Sequence, residues 1–267
     1  MFIRCVHATF IRLLLAALLT LTSGFSSAQD AAVNTIIDKH WAWVLSEYPE
    51  MRLEYGDRSG NRQWTDVSPK AHEARHKSLQ SFIKQLTAIE PSSLSESAQL
   101  NRAMLLRDLR DDTEAFENGM HLMPVNMRSG PQHRHGMAER LPFETEQDYR
   151  DWLARLQTLP SQLDQYQLLL EQGIANQRTQ AQIVMQRVPD QIDRVVTEDP
   201  TQNPFYKAFI NIPESIDAVT ASELRAEAQA IITGVLNPAY RDFGQFMRDT
   251  YLPASRKEPG LGSLPEG

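Results

Sequence analysis

Apolar residues recur every three to four positions along most of this chain, with polar residues between them. That spacing places the apolar side chains on one face of an α-helix. The clearest runs are Leu79, Phe82, Ile83, Leu86 and Ile89; Leu100, Ala103, Met104, Leu106 and Leu109; Tyr149, Trp152, Leu153 and Leu156; Ile183, Val184, Val188, Ile192, Val195 and Val196; and Leu224, Ala228, Ile231, Ile232 and Val235. No run alternates clearly between apolar and polar residues as a strand does. The pattern predicts an all-α protein, an irregular multi-helix array.

Local signals predict where the first two of these helices begin. Ser68 followed by Pro69 indicates a start, because serine caps free backbone N–H groups and proline fits the first helical turn. Ser93 with Glu96 is a capping-box pattern, in which each side chain bonds the other residue's backbone N–H. We therefore expect one helix from Pro69 and another after Ser93.

The third helix begins at the pair Thr145 and Asp148, which is also a capping pattern. Pro160 predicts its end, because an internal proline removes a hydrogen bond and clashes with the preceding turn. A fourth helix then runs to Gly173, a residue type that commonly follows a helix end. We expect two helices here.

The remaining helices carry weaker signals. Pro189 predicts a kink in the fifth helix, and Thr220 with Glu223 predicts the cap of the sixth. Pro238 starts or kinks a last segment that carries Tyr240, Phe243, Met247 and Tyr251. Loops are expected near residues 49–67, 119–144 and 199–219.

The N-terminus has the features of a secretory signal peptide. Arg4 and Arg12 supply positive charge, residues 11–22 are mostly apolar, and Ser26-Ser27-Ala28 places small residues at a cleavage site. We predict a signal peptide over residues 1–28 and one helical domain over residues 29–267, located in the periplasm or secreted. The apolar stretch is short for a membrane span, which needs about 20 residues, so no stable span is expected after cleavage.

Charge and cysteine usage exclude several classes of function. The chain has 267 residues and a net charge of -7, with no basic stripe that could neutralise phosphates, so nucleic acid is not expected as a partner. Its only cysteine, Cys5, lies in the predicted signal peptide. Disulfides, a thiolate nucleophile and a cysteine metal site are therefore not expected in the exported chain.

One motif suggests metal chemistry. His72, Glu73 and His76 form an H-E-x-x-H sequence, in which two histidines one helical turn apart bind Zn²⁺ and the glutamate activates water. Arg75 and Lys77 would place positive charge beside the cation, and no third ligand follows at a characteristic spacing. We interpret the segment as a solvated, polar helix face, with a zinc site as the alternative. No catalytic residue and no cofactor are assigned.

Two other clusters have comparable alternatives. His133 and His135, with His121 nearby, could bind a metal or an anionic group, but a solvated loop is the simpler interpretation. The acidic cluster is expected to form a salt-bridged outer face of a helix: Asp108, Asp111, Asp112, Glu114 and Glu117 with Arg107 and Arg110. Trp41 and Trp43 point to different faces, and one of them is expected to anchor the core.

Four segments, in order along the chain, resemble a secreted bacterial family called domain of unknown function eight-eight-five. They are Trp64–Pro69; Leu141–Tyr149 leading into Arg155-Leu156; Asn203–Tyr206; and Pro238–Arg241 running on to Tyr251–Arg256 and Leu264–Gly267. The resemblance implies a helical, zinc-peptidase-like protein about twice as long as this chain. It also implies a metal motif in the C-terminal half, a His-Glu pair followed by Pro-Gly-His. This chain has no such segment, so zinc is expected only for the full-length family.

Three functions remain open. The first is the N-terminal helical portion of an exported zinc-peptidase-like hydrolase, inactive alone, whose partners are the missing C-terminal half or a second copy, with peptides bound by the full-length family. That hypothesis expects an exposed apolar face at Tyr240, Phe243 and Met247. The second is a stand-alone periplasmic binding or interaction module. The third is a compact zinc protease that uses His72 and His76.

Overall fold

The computed structural model describes residues 28–265, so the predicted signal peptide lies outside it except for Ala28. The α-helices are α1 (28–47), α2 (Pro49–Arg52), α3 (Pro69–Thr87), α4 (Glu96–Glu117), α5 (Glu146–Ala175), α6 (Gln182–Met185), α7 (Val188–Asp193), α8 (Ala218–Ile231), α9 (Asn237–Phe246) and α10 (Leu252–Ala254). The 3-10 segments are Leu53–Tyr55, Arg58–Gly60, Pro91–Ser93, Met120–Leu122, Pro131–Arg140, Pro200–Gln202, Pro204–Phe209 and Leu261–Ser263. Two π-helical segments span Ile232–Leu236 and Met247–Tyr251. No strand occurs within residues 28–265, and the all-α prediction is confirmed.

The described residues group into two compact units. The first unit contains residues 28–44 and 75–114, and the second contains residues 45–74 and 115–265. The divisions fall inside α1, α3 and α4. Every helix within residues 28–265 is too short or too polar to cross a lipid bilayer.

The first unit has a small core around Phe82. The ring of Trp43 lies 5.6 Å from that of Phe82, whereas Trp41 is 38% exposed, so one tryptophan anchors the core as expected. Leu106 and Leu109 are buried from α4, but Leu100 and Met104 are more than half exposed. The prediction that they share one apolar face is therefore wrong. Met104 and Leu106 are two positions apart, which is about 200° around a helix.

Two of the predicted helix starts are confirmed. Ser68 Oγ accepts a hydrogen bond from Ala71 N at 3.2 Å, at the start of α3. Thr145 and Asp148 form the predicted capping box at the start of α5. Asp148 also pairs with Arg58 at 2.8 Å, which ties this helix end to the segment before α3.

Two other predicted caps are wrong by two or three residues. Ser95, not Ser93, caps α4, since Ser95 Oγ accepts from a backbone N–H of the first turn. Ser93 instead ends a tight turn and donates to the carbonyl of Glu90. Likewise Asp217, not Thr220, caps α8, because its carboxylate accepts from two backbone N–H groups.

Helix α5 runs without a break through Pro160 and Gly173, so the predicted division into two helices is wrong. An internal proline costs about 3 kcal/mol. Leu156, Leu159 and Leu163 are at most 2% exposed on either side of it. Full burial of one such side chain contributes about 1.5–3 kcal/mol, so packing outweighs the cost of the proline.

The helix predicted around Pro189, in contrast to α5, is broken near its proline. It is two short helices, α6 and α7, and Pro189 is the second residue of α7. A proline in the first turn breaks no hydrogen bond of the helix, because backbone N–H groups there have no partner within the helix. Pro238 likewise lies at the start of α9, directly after the π-helical segment Ile232–Leu236, as predicted.

The large core of the second unit closes over the last helices. Tyr240, Phe243 and Met247 are at most 2% exposed and belong to one buried cluster with residues of α5, α7 and α8. The expectation that this face is left open for partners outside the chain is therefore wrong. Residues of the second unit cover it.

Candidate functional site

Aromatic residues from the family-like segments meet in the core of the second unit. The ring of Trp64 lies 6.3 Å from Trp152, Trp152 lies 6.2 Å from Phe205, and Phe205 lies 5.9 Å from Tyr240. The Tyr240 hydroxyl donates to the carbonyl of Pro131 at 2.8 Å. Trp64, Phe205 and Tyr240 belong to the family-like segments, and with Trp152 they lie in or against this core.

Two arginines stack on the same tryptophan. The guanidinium carbons of Arg155 and Arg134 lie 5.1 and 5.5 Å from the centre of the Trp64 ring. Arg155 is fully buried and donates to the carbonyl of Gly60. Burial lowers the pKa of Arg155 to about 10, which leaves it charged at neutral pH. Arg134 donates to the hydroxyl of Tyr166. We interpret this stack as a structural cation–aromatic cluster.

One accessible polar cleft of the second unit has a volume of about 610 Å³, and we call it the basic cleft. Its walls come from the segment Pro131–Arg140, from α7 and from residues 195–210. The side chains that define it are Gln132, His133, His135, Gln191, Arg194 and Lys207.

Buried amides hold the walls of the basic cleft in place. Asn203 is 1% exposed, donates to the carbonyl of Val195, and accepts from the backbone N–H of Phe205. Gln191 and Gln132 donate to backbone carbonyls of the turn before Pro131. Because these amides are fixed by backbone groups, the cleft is preformed.

The charge of the basic cleft differs in sign from that of the chain. Within the part of the chain that the structure describes, none of its lining residues is acidic, whereas Arg194 and Lys207 are both present. Lys207 pairs with Glu139 outside the lining, at 3.5 Å and largely exposed. Burial lowers the pKa of His135, and the positive charges of Lys207 and His133 lower it further while Glu139 opposes them. Arg194 and Lys207 are the arginine and lysine side chains of the lining.

The structure separates the three histidines considered together in the sequence. His133 is exposed and His135 half-buried, and both line the basic cleft. His121 lies elsewhere, with its ring stacked 4.4 Å from Phe116 and 5.2 Å from His72. The prediction of a solvated loop therefore holds only for His133. Arg194 and Lys207 were missed by the sequence reasoning, although Lys207 directly follows the family-like segment Asn203–Tyr206.

The H-E-x-x-H residues lie in α3, and the division between the units falls between Ala74 and Arg75. Glu73 is exposed, and Gln80 Nε2 lies 2.9 Å from His76 Nε2. Arg75 is 6% exposed, so its expected place on a solvated face is wrong.

No group of three or more His, Cys, Asp or Glu within residues 28–265 is placed to hold a metal ion. The prediction that His72 and His76 bind no zinc stays a prediction.

The acidic cluster on α4 matches its predicted role. Asp108, Asp111, Asp112, Glu114 and Glu117 are all exposed. Arg107 and Asp111 form an exposed ion pair at 3.6 Å along the helix. Pairs of this kind contribute only a few tenths of a kcal/mol, so we interpret the cluster as a solvated helix face.

Residues 49–267 match the model of a family described as "Bacterial protein of unknown function (DUF885)". The chain belongs to this family. This DUF885 chain is also similar to a crystal structure described as "the putative lipoprotein from Colwellia psychrerythraea", with a TM-score of 0.71 and 16% sequence identity. The similarity covers 92% of this chain and 44% of that one, so the chain spans less than half of the solved relative. At this identity the likeness shows the fold alone. No curated protein matches the chain.

Proposed function

We propose that this chain is the N-terminal helical portion of an exported, zinc-peptidase-like hydrolase and contributes no catalytic group of its own. One observation carries the proposal: 92% of the chain aligns with only 44% of a solved protein of the same fold. More than half of that relative therefore has no counterpart here. The catalytic part is assigned there, because the resemblance implies a metal motif in the C-terminal half of the family.

Two further points support export and the lack of catalytic groups. The Colwellia protein is described as a "putative lipoprotein", and a signal peptide is predicted for residues 1–28 of this chain. The described residues supply no metal-ligand set. No reaction step is therefore assigned to the residues of this chain.

The test measures peptide hydrolysis and bound zinc on purified residues 29–267. We expect no cleavage of a mixed peptide library, with or without added Zn²⁺, and well under one zinc per chain. Addition of the C-terminal portion of a full-length family member should raise the melting temperature of the chain. Cleavage by the chain alone, with one tightly held zinc that His72→Ala removes and His40→Ala does not, would instead establish a compact zinc protease.

A stand-alone periplasmic binding module is the second candidate, and the closed core of the second unit favours it. Tyr240, Phe243 and Met247 are fully covered by residues of the chain. A monomeric chain that unfolds cooperatively and is not stabilised by the C-terminal portion would support this module over the hydrolase. Self-association, or stabilisation by that portion, would support the hydrolase.

A further inference from the structure

The basic cleft has the size and rigidity of a binding site for a small molecule. Its volume of about 610 Å³ lies within the range of about 300–1,000 Å³ usual for ligand sites. Asn203 is buried, and its amide bonds the backbone on both sides of the cleft wall. A ligand would therefore meet walls that need little reordering, which favours affinity.

The charges of the basic cleft select an anion. The chain has 34 acidic and 27 basic residues, yet the cleft lining holds two cations and no acid among the residues described. Asp193, the acid next to Arg194, pairs with Arg248 at 2.7 Å and does not neutralise it. No ion pair is formed by Arg194 within residues 28–265. Its planar guanidinium can bind both oxygens of one carboxylate.

The remaining lining residues indicate the chemical character of the rest of the ligand. Val195, Pro204 and Ile210 give the cleft an apolar wall, and Ile210 is 56% exposed. The lining therefore suits an anionic group attached to an aliphatic part.

We propose that the basic cleft binds a carboxylate ligand with an aliphatic portion, such as a short acidic peptide. Arg194 holds the carboxylate, Lys207 adds a second positive charge, and Ile210 contacts the aliphatic part. This site does not depend on the hydrolase assignment, because it needs neither zinc nor a catalytic group.

The test is calorimetric titration of residues 29–267 with N-acetyl-Leu-Glu, its diamide and inorganic phosphate. We expect the dipeptide to bind, the diamide to bind at least about tenfold more weakly, and added salt to weaken binding. Arg194→Gln should weaken binding about tenfold, and Lys207→Gln less, because Glu139 already pairs with Lys207. Arg241→Gln is the matched control, since Arg241 is exposed in the same unit and outside the cleft lining.

Four results would overturn the proposal. The first three are equal binding of the dipeptide and the diamide, wild-type affinity in Arg194→Gln, and no binding of the dipeptide at millimolar concentration. Tighter binding of phosphate than of the dipeptide would also overturn it and assign the cleft to phosphate. Circular dichroism of each variant establishes that a lost affinity does not come from unfolding, which is unexpected for the exposed Arg194.

Discussion

The substitution Gly173→Ala tests the path of α5 and the packing of its last turns. A Cβ atom at Gly173 would lie 2.6 Å from the carbonyl oxygen of Leu122 and 2.7 Å from that of Arg178. Contacts under 3.0 Å are essentially absent for real Cβ atoms. Both oxygens belong to backbone that cannot rotate away, and Arg178 N already donates to the Gly173 carbonyl at 2.7 Å.

Two effects of opposite sign decide the magnitude of the Gly173→Ala change. Alanine in a helix interior is favoured over glycine by about 1 kcal/mol. Overpacking of a close contact costs about 1–3 kcal/mol, and two fixed carbonyls place this site at the upper end. We expect a net loss of about 2 kcal/mol in the free energy of unfolding, which lowers the melting temperature by about 4–8 °C in a domain of this size.

Urea titration followed by far-ultraviolet circular dichroism measures this loss. The matched control is Gly234→Ala, because no atom lies within 4 Å of a Cβ built at Gly234. That variant should be neutral or stabilised by up to about 1 kcal/mol. If Gly173→Ala were as stable as Gly234→Ala, the two carbonyls would not approach Gly173 in solution, and the reasoning would be refuted.

Three smaller changes test other contacts in the second unit, by the same titration. Tyr240→Phe removes a buried hydroxyl and its hydrogen bond to the Pro131 carbonyl, so we expect a loss of about 0.5–1.5 kcal/mol; no loss would contradict that bond. Thr145→Ala removes the cap of α5 and should cost about 1 kcal/mol, while the capping partner Asp148 keeps its other bonds. Because the pKa of His135 is lowered in the folded state, the unfolded chain binds this proton more tightly, and stability should fall as pH drops through about 6.5. His135→Asn should make that decline shallower between pH 8 and pH 5, and an unchanged slope would contradict the burial of the ring.

Helix positions followed correctly from the sequence at Ser68 and Thr145. Ser68 is followed directly by Pro69, which fits the first helical turn, and Thr145 forms a capping box with Asp148. Ahead of α4 the chain offers both Ser93 and Ser95, and the choice depends on the tight turn that begins at Pro91. In that turn the Ser93 hydroxyl donates to the carbonyl of Glu90, so Ser95 is left to cap the helix.

The two prolines inside helical patterns show why local rules could not decide every break. Pro160 and Pro189 give the same signal in the sequence. Pro160 is tolerated because Leu156 and Leu163 are buried on both sides of it by other elements of the second unit. Pro189 starts a helix of six residues instead. The difference lies in contacts distant in sequence, which periodicity does not report.

The basic cleft was predictable only in part. His133 and His135 stood out because they lie two positions apart in a predicted loop and could bind an anion. Arg194 and Lys207 lie far along the chain, and neither belongs to a periodic pattern. The fold brings them together through Asn203, whose side chain bonds the Val195 carbonyl, just after α7, and the backbone N–H of Phe205. Asn203 belongs to the family-like segment Asn203–Tyr206, but that segment did not indicate which cations its side chain would bring together.

Family membership and ligand chemistry therefore rest on different residues of this chain. The family-like segments place Trp64, Phe205 and Tyr240 in the core, where a substitution would cost stability whatever the protein binds. Arg194 is exposed, so exchanging it alters the charge of the cleft at little cost to the fold. Two proteins can thus share this fold at 16% identity and still bind different ligands. The proposed ligand therefore follows from the residues of the cleft, because the core residues that establish the fold do not indicate what the chain binds.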